Sequence, residues 1–264
     1  MKHKTRMGSL LALADWHLRG IGRPLALLCA AMGPAELGLI ALYLAHYKAQ
    51  YMQLHQLFQR SGACYVLPAA LVLALLLDLA AGRADYGRPR AIYTLMTLPV
   101  PRAWLYFSRV ISGVLAVGCV AAAQALWYLL LYAPVTALSG LAGEPAAHAA
   151  FMTGGLWLNQ MRSTCMALLL PAGPKTAACM AYAVVALVAI AEAVVVHGFY
   201  TGVLLGISAA YTAVWCVSRA GYFGRAAGGE GGLLIVLTVC LALAVLQACS
   251  ALQGSENVPG GKLK

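Results

Sequence analysis

Nineteen consecutive residues near the C-terminal end, Leu233–Ala251, carry no charge (LLIVLTVCLALAVLQACSA). A helix of about 20 apolar residues crosses the hydrocarbon core of a bilayer. Five more predominantly apolar runs precede it: Pro24–Ala45, Tyr65–Ala81, about Phe107–Tyr132, Ala177–Val196 and Gly202–Val217. The chain has 264 residues, 62% of them hydrophobic and 10% charged, where soluble domains run at about 45–50% and about 25%. A single soluble core of this size cannot hide so much apolar surface. The expected fold is all-α, a polytopic transmembrane helical bundle with six clear spans.

The formal net charge of +10 does not point to nucleic acid, because the eighteen Lys and Arg form no single stripe. They gather between apolar runs, where positive charge fixes orientation in a membrane. The eight cysteines are scattered singly, mostly within apolar runs, with no C-x-x-C and no zinc spacing. Small apolar packing is their expected role.

At the N-terminus, MKHKTRMGSLLALADWHLRG opens like a signal peptide, but Asp15, His17 and Arg19 cut its apolar core short. Residues 1–22 are expected to form an amphipathic helix lying in the cytoplasmic interface, with Leu10, Leu11, Leu13, Trp16 and Leu18 on its apolar side. A transmembrane domain, 23–252, and a disordered tail, 253–264, would follow. A seventh, less apolar stretch lies at Ala147–Met161, ahead of Asn159, Gln160 and Arg162. With the N-terminus in the cytoplasm, six spans place twelve Lys and Arg inside and six outside; seven spans give fourteen and four. Hydropathy favours six and the positive-inside tendency seven. The charge count tips the expectation to seven.

The densest charge surrounds one short segment between the second and third runs, AGRADYGRPRAIYTLMTLPVPRAWLYFSRV, with Arg83, Arg88, Arg90, Arg102 and Arg109. Pro89 suits the first turn of a helix. Ile92, Leu95 and Met96 then share one face, and Pro99 and Pro101 end the helix. The segment predicts a short cytoplasmic helix, within a loop 83–106, whose apolar face its own chain leaves uncovered. Two occupants fit such a face: a groove in a soluble partner, or lipid headgroups held by the arginines.

The stretch YTLMTLPVPRAWLYFSRVISGVLAV resembles the motif region of permease subunits of type-2 ABC exporters, the bacterial ABC-2 class. The matching residues are Leu95, Thr97, Leu98, Pro99, Val100, Arg102 and Arg109. The resemblance implies a cell-membrane protein with a cytoplasmic N-terminus that couples a separate ATP-binding subunit to substrate export. Contact with that ATPase would fall to Arg90, Ile92, Tyr93, Leu95, Met96, Leu98, Pro99 and Arg102. RSTCMALLLP is similar to a second coupling segment, with Arg162, Met166 and Leu169. A second permease subunit, identical or different, would complete the path. ATP and Mg are expected on the partner, and no cofactor on this chain. A C-terminal span beyond the six core helices is a departure from the family pattern.

The chain offers no enzyme chemistry of its own. It lacks the phosphate loop G-x-x-x-x-G-K-[ST], the zinc motif H-E-x-x-H and the nucleophile elbow G-x-S-x-G. Glu192 and His197, five apart, do not make the i, i+4 pair a metal needs, and His197 is read as a helix end. Glu36, Gln124 and Glu192 are candidates for an intramembrane polar site, and Asp78 for a pairing with Arg83 at the cytoplasmic edge. A carboxylate at mid-membrane costs about 2.5–3.5 kcal/mol on insertion scales and must face protein or water. These groups raise an alternative, an ion-coupled secondary transporter. The absence of a matching Lys or Arg within the spans counts against it.

Overall fold

A computed structural model of the chain describes residues 2–46, 54–87, 102–138, 174–197, 199–219 and 230–254. Those residues are helical apart from short turns, with no strand among them. The helices are α1 (Lys2–His46), α2 (Leu54–Ser61), α3 (Val66–Gly87), α4 (Arg102–Leu130), α5 (Tyr132–Leu138), α6 (Pro174–His197), α7 (Phe199–Arg219) and α8 (Glu230–Gly254). Four segments are long and apolar enough to cross a membrane: Gly8–His46, Ala63–Gly82, Ala103–Leu130 and Ala177–Val194. Thr201–Val214 and Gly232–Ala248 are shorter apolar helices. The stretch 147–161, both segments read as coupling elements (88–101 and 162–171) and the tail from 255 lie outside the described residues.

The first departure from the sequence reading is α1. It runs unbroken for 45 residues, about 67 Å at 1.5 Å per residue, so residues 2–22 continue without a break into the first apolar run. Pro24 and Pro34 sit inside it. Each removes one backbone donor, yet the helix continues because its N-terminal part has a face to bury. Ala14, His17, Ile21 and Leu25 are all buried, spaced three or four apart, and Ile21 and Leu25 pack with Leu67, Ala70 and Ala74 of α3. Leu11 and Trp16 stay exposed on the far side.

Contacts between helices fix their directions. Met32 and Val120 share one apolar cluster, Glu36 bonds Gln124, and Ile40 and Tyr128 share another cluster. Equal steps along α1 thus meet equal steps along α4, and the two run parallel. Helix α3 runs opposite to α4, since Asp78 lies by Arg109 while Leu67 clusters with Val120. Helix α6 also runs opposite to α4: its late residue Glu192 meets the early Arg109, and Val188 lies beside Gly113. Helix α8 is parallel to α6. Ala183 and Ala186 pack on Leu233 and Leu237, while Ala189 and Ala193 pack with Ala244 and Ala248. Alanines at helical spacing let these backbones approach closely, as in membrane helix pairs. Helix α7 returns between them, with Thr201 donating to the Ala193 carbonyl and Tyr211 beside Gly232. The starts of α1, α4 and α7 therefore share one end of the bundle with the ends of α3, α6 and α8.

Two details hold the α1–α4 seam. The Trp127 indole Nε1 donates to the Cys29 carbonyl at 2.7 Å, next to the Ala30 carbonyl that Pro34 deprives of its helical donor. The same ring lies flat against Gly33, where any side chain would collide with it. Between α2 and α3 the chain turns at Gly62, with φ +76°, a conformation glycine adopts without steric cost. That turn seats Leu57 and Phe58 against Tyr128, Leu131 and Val135.

Candidate functional site: two buried polar layers

Arg109 lies seven residues into α4 and is not part of the loop. Its side chain is 3% exposed. Nε donates to Glu192 Oε2 of α6 at 2.7 Å, and Nη2 donates to the Asp78 carbonyl of α3 at 2.9 Å, with Asp78 Oδ1 4.0 Å away. The planar fork of a guanidinium suits such a three-way junction, because its donors point along fixed directions. Two carboxylates thus share one guanidinium, all three buried. His17 of α1, also buried, is close enough to feel the Arg109 charge. One turn before Arg109, Tyr106 donates its hydroxyl to the Ala189 carbonyl at 2.6 Å.

Room for these charges comes from two glycines. A Cβ on Gly82 would strike the Arg109 guanidinium, and a Cβ on Gly113 would lie 2.6 Å from Asp78 Oδ2 and 2.7 Å from Val188 Cγ1. Asp78 and Gly82 are one turn apart on α3, and Arg109 and Gly113 one turn apart on α4. Each helix offers a glycine opposite the other's charge.

This corrects the sequence reading in two respects. Asp78 is held by Arg109, inside the bundle, and the arginine judged missing from the spans is Arg109. The signal was present: Arg109 stands inside the apolar run that starts at Leu105, and each charge precedes a glycine by four residues. Grouping Arg109 with the loop arginines hid it.

The second layer joins α1 to α4. Gln124 Nε2 donates to Glu36 Oε1, and both side chains are fully buried. The two layers lie fifteen residues apart on α4, about 22 Å. Buried Val110, Ala116, Val117 and Val120 lie between them. The structure thus brings Glu36 to Gln124, but places Glu192 in the other layer. Arg102 is the first residue of α4, whereas Arg90, Ile92, Tyr93, Leu95, Met96, Leu98 and Pro99, with Arg162, Met166 and Leu169, fall outside the described residues.

Among the described residues no three His, Cys, Asp or Glu are grouped to hold a metal. Helix α6 ends at His197, as its sequence suggests. The chemistry on view is charge held in an apolar bundle, which can fix helices to one another or take up a proton. No family model, curated protein or solved structure matches the chain.

Proposed function

We propose that this chain is the membrane-spanning subunit of an ATP-driven exporter of the ABC-2 kind, driven by a separate ATPase that docks on residues 88–102. The observation that carries this reading is mechanical. Segment 88–101 connects α3 to α4, and those helices are pinned together by Arg109, Asp78 and Glu192 within about two to three turns of it. A push on Ile92, Leu95 and Met96 would therefore reach α3, α4 and α6 as a unit. The exporter motif residues Leu98, Pro99 and Arg102 lead straight into that pinned helix.

Helix directions support six crossings, an even count. Helix α4 ends and α6 begins at the same end of the bundle, and the stretch 147–161 lies outside the described residues. The positive-inside count for six spans assigns the 88–101 end to the cytoplasm, together with the N-terminus and the end of α8. On this orientation α6 begins on the opposite side, three residues after Pro171. The coupling role is assigned first to 88–102, while the second segment with Arg162, Met166 and Leu169 lies outside the described residues. A second permease subunit would complete the path, and ATP and Mg belong to the partner.

The test is co-purification from membranes with the ATP-binding subunit that the reading requires. Leu95→Asp or Met96→Asp abolishes it, because a carboxylate cannot enter an apolar groove unpaired, while insertion and thermal stability stay at wild-type values. Retained co-purification of both variants refutes the docking role.

A second reading, an ion-coupled transporter, gains from the buried Arg109 that its carboxylates otherwise lacked. It requires transport in vesicles under an ion gradient without ATP.

A further inference from the structure

We propose that Glu36 and Gln124 form a proton-holding site: the Glu36 carboxyl carries a proton on Oε2 and donates it to Gln124 Oε1, while Gln124 Nε2 donates to Glu36 Oε1. This does not rest on the exporter reading. The argument is one of hydrogen-bond accounting. Among the described residues the bond from Gln124 is the one Glu36 receives, and Glu36 Oε2 and Gln124 Oε1 have no partner. Both atoms are acceptors as long as Glu36 is ionised, and a buried acceptor left without a donor is costly. A single proton satisfies both, closing a ring of two hydrogen bonds between an acid and an amide.

The surroundings favour the neutral acid. Glu36 forms no ion pair with Lys, Arg or His among the described residues, and the Arg109 layer is about 22 Å away along α4. Tyr128, one turn further along α4, is also buried and is close enough to feel a charge on Glu36. Ile40 and Met32 flank it on α1, and Trp127 closes over Gly33 nearby. A metal ion is not the occupant, because three side-chain oxygens, one of them already hydrogen-bonded, fall well short of the six to eight that a hard cation gathers.

Infrared spectroscopy of the full chain in lipid nanodiscs at neutral pH tests the site. The wild-type spectrum contains the carbonyl stretch of a protonated carboxyl that Glu36→Gln removes and that shifts in heavy water. Gln124→Leu keeps the band but moves it to higher frequency, since the donor to Oε1 is gone. Glu36→Gln, whose amide reproduces both hydrogen bonds, keeps the wild-type unfolding temperature. A difference spectrum that loses a carboxylate band instead overturns the proposal. So does a Gln124→Leu band that does not move, or a Glu36→Gln variant that fails to fold, because the site then requires a negative charge.

Discussion

Replacing Arg109 by Ala is expected to destabilise the chain by about 3–5 kcal/mol, because it leaves two buried carboxylates facing each other without their cation. The contribution is one of pairing and not of charge as such. Arg109→Met combined with Glu192→Met and Asp78→Leu therefore regains a large part of the loss, since an apolar set of similar volume leaves no buried charge to compensate. Lys at 109 does not substitute well, because a single ammonium cannot reach both Glu192 Oε2 and the Asp78 carbonyl along the directions that Nε and Nη2 use. Unfolding in detergent, followed by circular dichroism, measures all three. A loss below about 1 kcal/mol for Arg109→Ala, the range of an exposed pair, would show that the junction is open to solvent.

Gly33→Ala is expected to cost about 3 kcal/mol, the upper part of the range for overpacking a filled interior. Its methyl would overlap three atoms of the Trp127 ring system. The ring is rigid and held at Nε1 by the Cys29 carbonyl, so it cannot yield as a flexible chain would. Shrinking the ring relieves the clash: Gly33→Ala with Trp127→Leu costs less than the sum of the two single changes. That non-additivity in a double-mutant cycle is the signature of direct contact. Strict additivity would mean that α1 moves aside as a whole.

All six apolar runs of the sequence became helices with ends within a few residues of those expected, except at α1. Length and apolar content carry that information, since they depend on each run alone. What the runs do to one another was less legible. The fusion of residues 2–22 with the first apolar run depends on Ile21 and Leu25 finding α3, a tertiary gain that overrides the helix-breaking tendency of Pro24. Arg109 was misplaced because a charge near the start of a span reads equally as the last residue of a loop. Its burial depends on Gly82 and Glu192, twenty-seven and eighty-three positions away. Glu36 and Gln124 were singled out as polar residues in apolar runs, but their pairing follows from the parallel course of α1 and α4.

The reciprocal glycines of α3 and α4 have a mechanical corollary. Sliding one helix past the other by a single turn, the usual ratchet step of packed helices, would drive Arg109 and Asp78 off their glycines and onto neighbours that carry a Cβ. Helices α3 and α4 therefore have one stable alignment and travel as a single lever. Whatever rearrangement the protein performs has to take place at other seams of the bundle.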